Sequence, residues 1–330
     1  MRYVLGVDGG GTKTHCALYD ADTGRLDMLP WGPTNHEGMA GGLDELPGVL
    51  RGMFNAVLTR NNISMDDIEM GVLGLAGTDT TEQHRVISGI LTGLGLTRFV
   101  LCNDAFLGVK AGSIGGYGVC AINGTGCCIT GMDSKGGRVQ IGGLGSYTGD
   151  FGGGSMMAPR AVGLAYDQLF RGQPFTALTT GLFRWLDITD KNEFIDLLTD
   201  RLNRDHAKTT LELCRILFTT AAEGDPAALS LLEASGVSYA GGIAGAISEL
   251  SFAPGEPIEV VFAGSLFTKC ECDHTIKTVQ SILTKQFPNL LFHTLDVPCV
   301  AGAVLWALNE LGMEGRRDNV RRMFKGGVFL

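Results

Sequence analysis

The sequence contains no long apolar run and no long run of charge of one sign. A membrane-spanning helix needs about 18 or more consecutive apolar residues, and no stretch approaches that length. The first apolar run is short and breaks into glycine, so we expect no signal peptide and a cytoplasmic location. The formal net charge of −9 argues against a general nucleic-acid groove. We therefore expect neither a membrane nor a nucleic acid among the partners.

The sequence also lacks the cysteine spacing of a disulfide framework or of a zinc site. It has nine cysteines, an odd number, and most of them stand inside apolar runs. Such cysteines are typical of buried thiols in a reducing compartment. Cys270-Glu271-Cys272 has no second ligand pair at a familiar spacing. Cys127-Cys128 open a predicted strand, where neighbouring side chains point to opposite faces.

Glycine, by contrast, is abundant, with 49 of the 330 residues against a usual share of about 7%. The glycines form separated clusters between apolar runs rather than a fixed repeat. This distribution predicts many tight turns and a backbone that approaches a ligand closely.

The first glycine cluster, Asp8-Gly9-Gly10-Gly11-Thr12-Lys13, joins two short apolar runs that we predict to be strands. Successive N–H groups in such a turn suit phosphate oxygens, and Asp8 could hold the water shell of Mg²⁺. An ordinary tight hairpin with an aspartate at its mouth is the alternative. The P-loop and the dinucleotide fingerprint are excluded because both need a helix after their glycines.

The order of predicted elements indicates an α/β protein in which one pattern occurs twice. Three strands are followed by alternating helices and strands, and a strand, glycine turn and strand begin again near Tyr117. We predict domains over residues 1–115 and 116–330 with a cleft between them. The second domain contains a helical insertion, predicted over 152–250, and the last helix could pack back on the first domain. The basic residues from Arg316 to Arg322 predict a solvated helix face.

A set of short motifs, taken in their joint order, carries a family resemblance over essentially the whole chain. They are Asp8–Thr12, Thr34-Asn35-His36, Asn103-Asp104-Ala105, Gly124-Thr125-Gly126, Gly143-Leu144-Gly145, Gly149-Asp150 and Ala263-Gly264-Ser265. The three glycine turns resemble those of the actin-like, hexokinase and Hsp70-type ATPase superfamily, whose domains are ribonuclease H-like. More narrowly, the chain resembles the N-acetylglucosamine kinase family of the BadF/BadG/BcrA/BcrD ATPase grouping.

This resemblance implies that ATP is bound by the glycine turns, with Mg²⁺ held by Asp8 through water. The implied ATP-binding residues are Gly9, Gly10, Gly11, Thr12, Lys13, Gly124, Thr125, Gly126, Ala221, Gly264 and Ser265. A solvated hairpin position is an equal alternative for Lys13.

The resemblance also implies a catalytic base at Asp104 and a sugar site around it. The implied substrate-binding residues are Asn35, His36, Asp104, Gly143, Leu144, Gly145 and Asp150. From the residues alone, Asp104 fits a general base for a sugar hydroxyl and a plain helix N-cap equally well. His36 could instead be a loop-packing residue. The family usually has Asp-Glu-Gly-Ser where this chain has Asp150-Phe151-Gly152, which leaves the identity of the sugar open.

The predicted function is an ATP-dependent kinase that phosphorylates an amino sugar, with N-acetylglucosamine giving N-acetylglucosamine 6-phosphate. Its partners would be the sugar and the nucleotide, and we expect a homodimer. Two alternatives stay open: an ATPase that activates a partner enzyme, as in the iron–sulfur dehydratase activators of the same grouping, and a non-catalytic sugar- or nucleotide-binding protein.

Overall fold

The computed structural model describes residues 2–326, and its first sheet is built from the beginning of the chain. The five strands are β1 (Tyr3–Gly9), β2 (Thr14–Asp20), β3 (Leu26–Trp31), β4 (Ile68–Leu75) and β5 (Phe99–Cys102). Their order in the sheet is β3-β2-β1-β4-β5. β1 and β3 flank β2 in antiparallel register, whereas β1, β4 and β5 run parallel. The carboxyl ends of β1, β4 and β5 therefore lie at one edge of the sheet.

The second sheet repeats this plan with later segments. Its strands are β6 (Gly118–Asn123), β7 (Cys127–Met132), β8 (Arg138–Gly142), β9 (Ile258–Ala263) and β10 (Leu290–Thr294). The order is β10-β9-β6-β7-β8, so first, second and third strands are neighbours again, with the fourth and fifth on the other side. The duplicated pattern that the sequence predicts is thus present in the strand order.

Twelve helices are described, and most fall where the apolar spacing predicts them. In the first part of the chain they are α1 (Leu46–Asn61), α2 (Thr81–Gly93) and α3 (Phe106–Gly112). Between β8 and β9 they are α4 (Gly154–Phe170), α5 (Ala177–Leu186), α6 (Phe194–Arg204), α7 (His206–Ala222) and α8 (Pro226–Glu249). The last four are α9 (Ser265–Thr268), α10 (His274–Leu283), α11 (Val300–Glu310) and α12 (Arg317–Gly326). Among residues 2–326, no helix combines the length and the apolar composition that crossing a bilayer requires.

Local sequence signals explain where several helices begin. Pro47 lies in the first turn of α1, where no intrahelical donor is lost. Asp225 is the N-cap of α8 and its Oδ1 accepts the Ala228 N–H at 2.9 Å, with Pro226 directly after it. The predicted break before α8, with proline at a first helical position, is therefore confirmed.

The described residues group into two compact units. The first comprises the chain up to Gly118 together with the segment from Leu295, and the second is Val119–Thr294. In the first unit α11 packs on β1 and β4, and its Trp306 is buried. In the second unit one core lies between the sheet, α8 and α10, and another joins α4 to α8. The domain ranges 1–115 and 116–330 stay a prediction.

The prediction of a solvated basic face near the C-terminus is wrong for two of its arginines. Arg317 donates to the carbonyls of Lys110 and Ser113, and Arg321 donates to the carbonyl of Ala111. These carbonyls end α3, where the last groups of a helix have no intrahelical donor. Guanidinium groups from α12 therefore cap α3, a contact across more than 200 positions of sequence.

Candidate active site

The first glycine turn lies between β1 and β2 in the first unit. Gly10 N–H donates to the Lys13 carbonyl at 3.1 Å and closes the turn. The Gly10 carbonyl accepts N–H groups from Thr34 and Asn35, which attaches the 34–38 loop to the turn. A Cβ on Gly9 would lie 2.2 Å from Thr34 Oγ1, so only glycine allows this approach. The side chains of Thr12 and Lys13 are exposed at the tip.

Asp8 lies at the end of β1 with its side chain 22% exposed. Burial raises the pKa of its carboxyl to about 6, against the opposing effect of Lys13. His15 Nδ1 lies 4.0 Å from Asp8 Oδ2. Burial lowers the pKa of His15, and the charge of Lys13 lowers it further. A carboxylate that is partly exposed at the end of a strand is chemically suited to a hydrated divalent cation. Among the described residues, no group of three or more His, Cys, Asp or Glu side chains is arranged to hold a metal directly.

Asp104 lies in the turn between β5 and α3, beside the end of β4. A Cβ on Gly74, in β4, would lie 3.0 Å from the Asp104 Cα, so the two backbones are in close contact. The helix N-cap is Ala105 and it makes no side-chain cap bond, so the N-cap alternative for Asp104 is wrong. The side chain that stabilises the turn is Asn103, whose Oδ1 accepts the Ala105 N–H at 2.9 Å.

Two carboxylates, those of Asp8 and Asp79, act on the carboxyl group of Asp104. Burial, followed by the charges of Asp8 and Asp79, raises the pKa of the Asp104 carboxyl to about 7. A carboxyl group with a pKa near neutrality is a stronger base than an ordinary aspartate and is still ionised in part at neutral pH. This is the protonation behaviour that proton abstraction from an alcohol requires.

The loop with Asn35 and His36 is braced against the segment after β4. His36 is buried and its Nε2 lies 2.8 Å from the Gly77 carbonyl oxygen. Asn35 Oδ1 accepts the Glu37 N–H at 3.0 Å, while its Nδ2 faces Gly11. The packing role that the sequence leaves open for His36 is therefore present in the structure. Asn35, Asp8 and Asp104 all stand on segments that meet at the same end of the first sheet.

The second glycine turn, between β6 and β7, lies in the second unit and has a different support. Gly124 N–H donates to the Gly126 carbonyl at 3.0 Å, and the start of α4 donates back to the turn from Gly154 and Ser155. Asn123 is buried, and its Oδ1 accepts the Gly153 N–H at 2.8 Å. Thr125 and Gly126 are exposed at the tip.

The third turn, after β9, contacts the second one. Gly264 has a φ of +89°, and a Cβ there would lie 2.4 Å from the Asn123 carbonyl oxygen. Ser265, which begins α9, is exposed. Ala221 is buried in the last turn of α7, within the helical core. The predicted nucleotide residues Gly264 and Ser265 are thus beside the second turn, and Ala221 lies in the apolar interior.

The loop from Gly143 to Asp150 folds around the Asp150 carboxylate. Oδ2 accepts the N–H groups of Gly143 and Gly145, each at 2.8 Å, and Oδ1 accepts the Thr148 hydroxyl at 2.8 Å. Leu144 is exposed at the tip. The N–H groups of Gly143 and Gly145 are therefore bonded to the Asp150 carboxylate.

Phe151, at which the sequence departs from the resemblance described above, has an apolar role. Its ring packs on the helical core, and the Arg160 guanidinium lies 5.3 Å from the ring centre. Phe151 also lines a cavity of about 190 Å³ in the second unit, together with Asp150, Tyr239 and the two adjacent cysteines. Burial, with a smaller contribution from Asp150, raises the pKa of the Cys127 thiol to about 11. This thiol is therefore protonated at neutral pH.

Two further residues support the Asp104 turn without having been predicted from the sequence: Asp79, which contacts Asn103, and Gln83, which holds the Asp79 backbone. Asp79 Oδ1 accepts Asn103 Nδ2 at 2.9 Å. Gln83 belongs to a capping box with Thr80 at the start of α2. The pattern Thr80-x-x-Gln83 could have located the helix start, but no local signal links it to Asp104.

Comparison with solved structures shows the fold of this chain. A proposed N-acetylglucosamine kinase from Chromobacterium violaceum superposes with a TM-score of 0.65 at 22% identity, over 92% of this chain and 98% of that one. The predicted actin-like ATPase fold is thereby confirmed. Residues 5–307 match the model of the BadF/BadG/BcrA/BcrD ATPase family. The chain belongs to that family.

Two characterised relatives carry sugar-kinase names. An N-acetyl-D-glucosamine kinase from Dictyostelium discoideum is 26% identical over 321 residues, which are 93% of this chain and 98% of that protein. An N-acetylmuramic acid/N-acetylglucosamine kinase from Clostridium acetobutylicum is 27% identical over 199 residues, 60% of this chain. That second match spans 64% of the relative, which is less than two thirds of its length.

Proposed function

We propose that this protein is an ATP-dependent kinase that transfers the γ-phosphoryl group to a hydroxyl of an amino sugar. N-acetylglucosamine, converted to N-acetylglucosamine 6-phosphate, is the proposed reaction. The observation that carries the proposal is Asp104, a carboxyl group of raised pKa next to the segments of the first glycine turn and the Asn35 loop. Family membership and the names of the two relatives support the same chemistry.

In the proposed reaction Asp104 accepts the proton of the attacking hydroxyl, and positioning with charge stabilisation supplies the rest. The N–H groups and hydroxyls of the turns at Gly9–Thr12 and Gly124–Gly126 would hold phosphate oxygens. Asp8 would hold the water shell of Mg²⁺, and the ion would neutralise charge on the phosphates. Lys13 lies near enough to Asp8 to act on its pKa, so it could share in this charge balance.

The sugar would be held by Asn35 and Asp150, with His36 bracing the Asn35 loop. The Asn35 side-chain amide offers the donor and the acceptor that an acetamido group needs. A carboxylate has about four acceptor positions, and the 143–150 loop uses three of those on Asp150. A sugar hydroxyl would therefore donate to the remaining position on Oδ1. The homodimer and the cytoplasmic location remain parts of this proposal.

The test is sugar-dependent release of ADP, with the product identified by mass spectrometry. The purified protein is incubated with ATP and Mg²⁺ and with glucose, glucosamine, N-acetylglucosamine, N-acetylmannosamine or N-acetylmuramic acid. We expect an N-acetylated sugar to give the fastest turnover and a product heavier by one phosphoryl group. Omission of Mg²⁺ should abolish it. ATP hydrolysis that no sugar accelerates would reject the kinase and favour the partner-activating ATPase.

A further inference from the structure

Hydrogen bonds join the Asn35 loop to the start of α2, both in the first unit. Glu37 N–H donates to Asn35 Oδ1, and Glu37 Oε1 accepts Gln83 Nε2 at 3.0 Å. Gln83 Oε1 in turn accepts the N–H groups of Asp79 and Thr80 at 3.0 and 2.9 Å. The backbone of Asp79 is thus held from the same side chain that contacts the loop.

A second set of bonds continues from Asp79 to the turn that carries Asp104. Asp79 Oδ1 accepts Asn103 Nδ2 at 2.9 Å, and Asn103 Oδ1 accepts the Ala105 N–H at 2.9 Å. Asn103 is 8% exposed, so its amide has little access to water. Both the Nδ2 and the Oδ1 of this amide are therefore hydrogen-bonded, and Asp79 supplies the acceptor for Nδ2.

We propose that Asp79 is a positioning residue for phosphoryl transfer, which acts through Asn103 to hold Asp104 at the sugar hydroxyl. The inference rests on the proposed kinase function. Through Gln83 and Glu37, the same residue ties the position of Asp104 to the loop that carries Asn35. The base and the sugar-binding side chain are then held in one hydrogen-bonded frame.

Asp79 also acts on Asp104 through its charge. The negative groups that face Asp104 are Asp8 and Asp79, and Lys13 faces Asp8. Loss of the Asp79 charge stabilises the ionised form of Asp104, because one repulsive neighbour is removed. Both the position and the protonation of Asp104 therefore depend on the side chain of Asp79. Two substitutions of Asp79 can separate these two effects.

The experiment compares Asp79→Ala and Asp79→Asn with the parent protein. Alanine removes the acceptor for Asn103, and we expect kcat to fall roughly 10–10²-fold, since small displacements of a catalytic group are costly. The KM for ATP should stay within about two-fold, because the hydrogen bonds described above run from Asp79 to Asn103 and Gln83 and support the Asp104 turn and the Asn35 loop. Asparagine keeps an acceptor and removes the charge. Its kcat should fall less, and the acid limb of kcat/KM should move to lower pH.

Glu82→Ala is the matched control, because Glu82 lies in the first turn of α2, close to Asp79 in sequence, and pairs with Arg85 at the surface. It should change neither kcat nor the pH profile. Asp79 variants with the kcat and pH profile of the Glu82 variant would overturn the inference. Thermal unfolding of each variant shows whether it is folded. Absence of sugar-dependent turnover in the parent protein would reject the kinase function itself, which is a separate outcome.

Discussion

The glycine turns that follow β1 and β6 both join two neighbouring strands, and they differ in the residue that precedes the glycines. In the first unit that residue is Asp8, whose carboxyl has a pKa raised to about 6 by burial. In the second unit it is Asn123, a buried amide whose Oδ1 accepts the Gly153 N–H. The same strand-turn-strand segment thus carries a titratable group in one unit and a neutral structural group in the other.

This difference assigns different chemistry to the two units. The first has Asp8, Asp79 and Asp104 near one sheet edge, where burial and then the charges of Asp8 and Asp79 raise the pKa of Asp104 to about 7. The second has close backbone contacts, of Gly153 with Gly126 and of Gly264 with Asn123, and a Cys127 thiol that stays protonated at neutral pH. Both units therefore have the strand-turn-strand segment, while the carboxyl groups of raised pKa lie in the first unit.

The largest expected effect comes from Asp104→Asn. If the first unit supplies the base, kcat should fall roughly 10²–10⁴-fold, because the amide cannot accept the hydroxyl proton. Nucleotide affinity, measured by calorimetry with a non-hydrolysable analogue, should change little. Asp66→Asn, on an exposed turn, is the control. An Asp104 variant with nearly full turnover would remove this residue from the mechanism and with it the contrast between the units.

The next effect tests the backbone contact of the second unit. Gly153 has a φ of +73°, and a Cβ there would lie 2.5 Å from the Gly126 carbonyl carbon. Gly153→Ala should therefore lower the free energy of unfolding by about 1–3 kcal/mol, measured by urea denaturation. Gly163→Ala is the control, since nothing lies within 4 Å of its Cβ position in α4. That change should stabilise by roughly 0.5–1 kcal/mol, and equal results for both variants would refute a tight turn.

A smaller effect is expected in the pH dependence of stability. Folding raises the carboxyl pKa values of Asp104 to about 7 and of Asp8 to about 6. The folded state then binds protons more tightly, so their contribution is favourable below about pH 4 and is lost as the pH rises to about 7. Asp104→Asn should consequently be more stable than the parent at neutral pH, by about 1 kcal/mol or more. Unfolding free energies measured across this range test it.

Asn123→Asp sharpens the same measurement from the other unit. A carboxylate can still accept the Gly153 N–H, but its burial would make stability fall as the pH rises through the same range. If neither Asp104→Asn nor Asn123→Asp alters the pH dependence of the unfolding free energy, the proposed electrostatic difference between the two units is rejected.

The smallest effect is expected at Cys127. Its thiol has a pKa raised to about 11, so alkylation by iodoacetamide near neutral pH should be roughly 10²-fold slower than for an ordinary exposed thiol. Cys127→Ser should leave kcat within about three-fold, because the thiol has no assigned role in the reaction. Mass spectrometry of the alkylated peptide gives the rate. Rapid modification with loss of turnover would assign reactive chemistry to the second unit after all.

Much of the fold could be predicted because its signals are local. The alternation of apolar residues locates β1, and Asp225-Pro226 marks the start of α8. The glycine turns could be predicted because few other residues allow such close backbone approach. The arginine caps on α3 could not be predicted, since Arg317 and the carbonyl of Lys110 are 207 positions apart.

The order of elements, the two similar hairpins and the aspartate that follows β5 were all predictable from the amino-acid sequence. They were predictable because period, turn chemistry and motif order are properties of neighbouring residues. Three features emerge from the folded chain alone: the N-cap of α3 is Ala105 rather than Asp104, Asp79 contacts Asn103, and Asp150 is enclosed by its own loop. Those outcomes depend on which distant side chains meet and on how far each is removed from water, and no local pattern specifies either.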